Sequence, residues 1–149
     1  MKTLTFIIAA FLFSITCHAQ SVSSADSTVQ NFKKYLSKNI RYLAVAREND
    51  VKGTVVLTIK INADKKVGDI EILKHLTVEM DSEIIKKIRN YNKLIALPEA
   101  KYTIGLKFFM KRDSGYDKIK PIDTSSYNNY LFDIDFIGYS AIRKTTIVY

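Results

Sequence analysis

Residues 54–61 carry an apolar side chain at every second position, and this pattern restricts the fold more than any other feature of the chain. Successive side chains of a strand point to opposite faces, so a period of two is typical of a half-buried β-strand. One face carries the apolar side chains Val55, Leu57, Ile59 and Ile61. The segment is therefore predicted to be a strand with one face turned to a core.

A second strand is predicted directly after the first. Residues 62–66 form a polar link of hairpin length, and the alternation resumes over residues 67–74. Two alternating segments joined by so short a link are expected to pair antiparallel.

Two further segments have apolar residues at helical spacing. The first covers residues 29–36, and Asp26 or Ser27 is its expected N-cap. The second covers residues 84–91, and Asp81 is its expected N-cap. Both helices are predicted to turn one apolar face to the sheet.

A third strand is predicted over residues 102–110. Its inward side chains are Tyr102, Ile104, Leu106, Phe108 and Met110, and its outward residues are Thr103, Gly105, Lys107 and Phe109. The later residues 131–136 and 145–149 are also β-prone. The expected fold is α+β: a small antiparallel sheet of three strands in the order α-β-β-α-β, with helices on one face and a C-terminal extension that adds one or two strands.

The N-terminal segment is typical of a cleavable export signal. Lys2 precedes an uncharged apolar run over residues 4–15, which is shorter than the roughly 20 residues of a membrane-spanning helix. The expected cleavage lies between Ala19 and Gln20. A lipid-modified Cys17 is the alternative, but Thr16 stands where a small residue is preferred.

These features divide the chain into four parts. Residues 1–19 are the signal, residues 20–28 a flexible lead, residues 29–112 the domain, and residues 113–149 an extension that packs on it. Cys17 is the only cysteine, so no disulfide is expected after cleavage. The net charge of +8 favours anionic partners, but nucleic acid is a poor partner for an exported protein. We expect a periplasmic or secreted protein with no membrane anchor after cleavage.

Few side chains suit catalysis or metal binding. After cleavage His75 is the only histidine, so it cannot form a site with several imidazoles. Asp81 is better explained as a helix cap, and Asp133 and Asp135 lie on the outward face of a tail strand. We therefore expect no catalytic residues, no metal site and no cofactor, and hence not an enzyme.

The order of elements and several short motifs resemble the C-terminal domain of TonB-like energy transducers. The similar stretches are YLAVARENDVKGTV at residues 42–55, the Gly68-Asp69-Ile70 step, the helix opened by Asp81, and the strand at residues 102–109. Leu43 replaces the proline of that family. The resemblance covers about residues 32–110 but includes neither the membrane helix nor the proline-rich spacer of a full transducer. We therefore do not expect this chain alone to transduce energy. We expect it to recognise a protein or peptide partner.

The resemblance implies that the third strand is a binding edge for an extended peptide, such as a segment of an outer-membrane receptor, in a Gram-negative cell. The implied edge consists of Tyr102, Thr103, Ile104, Gly105, Leu106, Lys107, Phe108 and Phe109. The alternative is a structural or assembly protein of the envelope, in which residues 131–136 pair with this strand and cover it. The sequence leaves both possibilities open.

Overall fold

The computed structural model describes residues 21–112 and 115–139. The expected signal with Cys17, Ala19 and Gln20, and the β-prone residues 145–149, lie outside these ranges. The elements are α1 (Ser21–Asn39), α2 (Ala44–Glu48), β1 (Gly53–Ile61), β2 (Val67–Lys74), α3 (Val78–Arg89), β3 (Ala100–Arg112), β4 (Gly115–Tyr116), a 3₁₀ turn (Thr124–Ser126) and β5 (Tyr130–Tyr139). The predicted α+β class and the order of the core elements are confirmed.

The sheet is built around β1 and β3. β1 pairs antiparallel with β2, as predicted, and its other side pairs antiparallel with β3. In the β1–β2 turn the Asn62 backbone N–H donates to the Lys66 carbonyl at 3.0 Å. Lys65 lies in the left-handed region, with φ 63°, which accounts for the tight reversal of the chain.

The core lies between this sheet and the helices α1 and α3. The inward side chains of β1 and β3 have the predicted orientation, and they are buried. The helices cover them with apolar side chains, among which Phe32, Leu36, Ile84 and Ile88 are fully buried. The period of two gives each strand an apolar face, and the period of 3.6 gives each helix one. These faces pack together in one hydrophobic layer.

Two helix starts differ from the predictions. α1 begins at Ser21, before the expected caps Asp26 and Ser27, so residues 21–28 of the expected lead are helical. Within α1, the Thr28 hydroxyl accepts a hydrogen bond from the Ala96 backbone N–H at 2.9 Å. This contact ties the early turns of the helix to the loop that precedes β3.

The helix α3 begins at Val78, and its N-cap is Thr77 rather than Asp81. The Thr77 hydroxyl accepts from the Met80 backbone N–H at 3.3 Å. Asp81 lies inside the first turn, is buried, and accepts from the Leu76 backbone N–H at 3.3 Å. Asp81 therefore accepts a hydrogen bond from the backbone of Leu76, the residue before the N-cap, and is not itself the cap.

No helix in residues 21–112 and 115–139 has the length and apolar character needed to span a membrane.

Candidate strand-pairing site

The predicted binding edge, Tyr102 to Phe109, lies inside β3 and has a neighbour on each side. β1 pairs with β3 from Gly53 opposite Phe108 to Ile61 opposite Ala100. On the other side β5 runs parallel to β3, from Tyr130 opposite Thr103 to Tyr139 opposite Lys111. The C-terminal extension therefore covers the edge that the resemblance implied as a binding site.

The parallel direction of β5 results from the path of the chain between the two strands. After β4, residues 117–129 return to the start of β3, as a parallel connection requires. There the Thr103 hydroxyl donates to the Asn128 carbonyl, and the Thr103 backbone N–H donates to the Asn129 carbonyl, both at 3.1 Å. These two bonds bring β5 into register with β3.

At Gly105 the returning segment lies close to the sheet. A Cβ atom at this position would overlap Ile122 Cδ1 and the Tyr130 hydroxyl, and would lie 3.1 Å from Asp133 Oδ1. A glycine in the middle of a strand is often a site where another part of the chain approaches closely. Gly105 therefore allows the extension to lie directly on the face of the sheet that faces away from the helices, which we call the outer face.

The inward side chains of β5 enter the hydrophobic core. Phe132, Ile134 and Phe136 are all buried. Phe136 stacks on Phe108 with ring centroids 4.8 Å apart, and Phe132 contacts the Phe32 ring edge-on at 6.2 Å. The extension thus completes the core as well as the sheet.

The outward side chains of β5 form a polar cluster with β3, which we call the Lys107 cluster: Lys107, Tyr130, Asp133 and Asp135. Lys107 Nζ lies 2.6 Å from Asp133 Oδ2 and 3.6 Å from Asp135 Oδ1. The Tyr130 hydroxyl donates to Asp133 Oδ1. Asp133 and Asp135 thus lie on the outward face, as predicted, and their partner is a lysine of the neighbouring strand.

The Lys107 cluster shifts two pKa values. The hydrogen bond from Lys107 to Asp133 raises the pKa of this lysine, in spite of the opposing effect of partial burial. Burial raises the pKa of the Tyr130 hydroxyl, and the bond to Asp133 adds to that effect. Both groups therefore hold their protons more tightly in the folded protein than free side chains do.

A groove of about 570 Å³ lies on the outer face next to the Lys107 cluster. It is lined by apolar and aromatic side chains, Phe109, Tyr116, Ile119 and Ile137, and by charged ones, Lys107, Asp117, Lys118 and Asp135. The polar composition of residues 113–126 predicted a connecting loop and gave no sign of this surface. The one local signal is that the outward positions of β5, which carry Asp133 and Asp135, carry the apolar Ile137 and Tyr139 further along the strand.

His75, the one histidine of the expected mature chain, forms a pair with one carboxylate. Its Nδ1 lies 2.7 Å from Asp81 Oδ2, and its side chain is 70% exposed. Within residues 21–112 and 115–139 no three or more His, Cys, Asp or Glu side chains come together in a way that could hold a metal ion. The strand-pairing surface is therefore the candidate site that the structure presents.

Comparisons with known proteins add little to this geometry. No protein-family model matches the chain, and no curated protein matches it. A search of solved structures found the NMR solution structure of the TonB C-terminal domain of Helicobacter pylori, with 22% sequence identity and a TM-score of 0.40, covering 52% of this chain and 88% of that chain. A similarity at this level carries no weight for family or function, so the function must be inferred from the contacts within this chain.

Proposed function

We propose that this protein is an exported protein-interaction module of a Gram-negative cell envelope. In this proposal the β3 edge at residues 102–109 recognises an extended segment of another protein by β-strand pairing. A segment of an outer-membrane receptor is the partner class that the sequence resemblance implies. In such pairing the backbone hydrogen bonds supply affinity, and alternate side chains supply selectivity.

One observation carries the proposal: β5 is an extended segment outside the α-β-β-α-β core, and it pairs with this edge from Thr103 through Phe109, all but the first residue of the predicted site. The edge is therefore able to accept a parallel strand. A partner must exchange with β5, and this exchange is costly because Phe132, Ile134 and Phe136 leave the core. Burial of each such side chain stabilises by about 1.5–3 kcal/mol, so only a segment that replaces these contacts can compete.

The second candidate is a structural or assembly protein in which β5 never leaves β3. The burial of the same three side chains favours this candidate, since their contacts are those of a permanent core strand. Native-state hydrogen exchange separates the two candidates. Strand exchange requires β5 amides that open more easily than those of β1, whereas a permanent strand opens only when the whole domain unfolds.

A reversible covalent lock tests the proposal directly. Phe109 and Ile137 are paired in the β3–β5 register and lie on the outer face, so the variant Phe109→Cys/Ile137→Cys can join the two strands by a disulfide. Cys17→Ser removes the one native thiol. The reduced form of the same protein is its own control, because only the bond between the strands changes.

The probes are three synthetic peptides of ten residues that copy the β5 sequence. They share its apolar positions and carry Asp, Asn or Lys at the positions of Asp133 and Asp135. We expect the reduced protein to bind at least one of them and the oxidised protein to bind none. A matched lock between β1 and β2, Thr58→Cys/Glu71→Cys, uses another paired position and should leave binding unchanged. Absence of binding to the reduced protein, or equal binding to both forms, would contradict strand exchange at β3.

A further inference from the structure

We infer that the partner of β3 is an extended segment with carboxylates at alternate positions that face Lys107, separated by apolar side chains that face the core. This inference rests on the proposed strand exchange, because β5 then occupies the place of the partner. Under that condition the sequence of β5 is a template for what the edge accepts.

On the outer face, Lys107 requires a counter-charge from the strand beside β3. Lys107 has two ion-pair partners among the described residues, Asp133 and Asp135, and both belong to β5. Its neighbour on the β1 side is Thr54, which is neutral and buried. The lysine side chain is only 20% exposed. A neutral strand in the place of β5 would therefore leave a partly buried ammonium group without a counter-charge, which is unfavourable.

On the inner face, the core requires apolar side chains from the same strand. Phe132, Ile134 and Phe136 alternate with the two carboxylates along β5 and are buried in the core. Lys33 Nζ lies 5.4 Å from the centre of the Phe132 ring, an arrangement in which a cation is attracted to an aromatic face. A competing strand thus needs large apolar side chains at three alternate positions, and an aromatic ring at the first of them is favoured.

The charge of the whole chain acts in the same direction over a longer range. The chain has a net charge of +8, so an acidic segment is attracted before contact and a basic one is repelled. The pattern that fits is apolar-acidic-apolar-acidic-apolar, running parallel to β3 in the register of Ile104 opposite Phe132. A segment of this pattern is matched to both faces of the β3 edge.

The test uses the full chain with Asp133→Asn and Asp135→Asn. These substitutions remove the carboxylates of β5 and leave Lys107 free to pair with a carboxylate of a bound peptide. Binding of the three labelled peptides is followed by fluorescence anisotropy. We expect the acidic peptide to bind at least about tenfold tighter than the neutral one, and the basic peptide to bind weakest. The difference should shrink between about 0.05 M and 0.5 M salt, because screening weakens ion pairs.

Charge reversal provides the specificity control. Adding Lys107→Glu should reverse the order, so that the basic peptide binds tightest. Lys101→Glu is the matched control, since Lys101 is on the same strand but pairs with Glu71 of β2 at 3.1 Å and is 65% exposed. This variant should leave the order of the three peptides unchanged.

The possible failures are distinguishable. Equal binding of the three peptides would overturn the inference about carboxylates and leave strand exchange standing. Absence of binding by every peptide, in this variant and in the reduced cysteine variant, would overturn the proposed function and the inference together. If the double substitution prevents folding, Asp135→Asn alone serves, because that side chain is 56% exposed, and the preference for the acidic peptide should then be smaller but of the same sign.

Discussion

Phe108 of β3 and Phe136 of β5 stack face to face, with ring centroids 4.8 Å apart and planes inclined by 10°. The first belongs to the α-β-β-α-β core and the second to the C-terminal extension, and both are buried. The extension is therefore part of the hydrophobic core.

Replacement Phe136→Ala should loosen β5 more than the rest of the sheet. Truncation of a buried phenylalanine costs about 3–5 kcal/mol, and the lost contacts join β5 to β3. Hydrogen exchange of the full chain should show faster exchange in β5 than in β1 or β2. Phe109→Ala, on the outward face of the same strand as Phe108, is the control and should have a smaller effect. A uniform acceleration in all strands would show instead that β5 does not open separately.

Replacement Gly105→Ala should destabilise the protein by about 1–3 kcal/mol, the usual cost of overpacking. The added methyl group overlaps Ile122 and Tyr130, so the damage should be confined to the extension. The free energy of unfolding is measured in urea. Ile122→Ala makes room for the added methyl group. Gly105→Ala should therefore cost less free energy of unfolding in a chain that already carries Ile122→Ala than in the natural chain. If the two losses simply add, the close approach at Gly105 does not cause the effect.

Replacement Thr77→Ala should cost about 0.5–2 kcal/mol, the usual effect of removing an N-cap side chain. The Thr77 hydroxyl accepts from the Met80 backbone N–H, and alanine leaves that donor without a partner in the protein. Thr77→Ser keeps the acceptor and should retain most of the stability. Thermal unfolding of both variants is followed by circular dichroism. If Thr77→Ala and Thr77→Ser had the same melting temperature, the Thr77 hydroxyl would not be the cap.

The free energy of unfolding should fall as the pH rises above about 10, where free lysine and tyrosine side chains lose their protons. The folded-state pKa values of Lys107 and Tyr130 are raised, so the folded protein binds more protons than the unfolded chain in this range. Their contribution is complete below about pH 10 and is lost as the pH rises through the folded values.

Urea unfolding between about pH 8 and pH 11 measures this alkaline loss. The double variant Lys107→Gln/Tyr130→Phe should show a smaller loss than the natural chain. Some loss should remain, because burial also raises the pKa of Tyr42 and of Tyr91. If the free energy of unfolding fell equally with pH in the double variant and in the natural chain, the Lys107 cluster would not hold these protons in solution.

The core elements could be predicted because each carries its own signal. The alternation in residues 54–61 and 67–74 assigns both strands. It assigns the buried face of β1 only in part, because Thr54 and Val56 on the other face are buried as well, and β2 has no buried residue. The start of α3 was predicted wrongly, because Asp81 is a residue type that favours N-caps and the observed cap is Thr77. The choice follows from Asp81 being buried and bonded to Leu76 and His75.

The sequence by itself determined the α-β-β-α-β order and the inward side chains of β1 and β3, because residues close in the chain set these patterns. Only the tertiary structure decided that β5 pairs with β3, that it runs parallel, and that Asp133 meets Lys107. The β-prone sequence of β5 is compatible with several neighbours and both directions. The choice depends on contacts between residues far apart in the chain, such as Phe136 with Phe108 and Ile122 with Gly105, and no local pattern encodes such contacts.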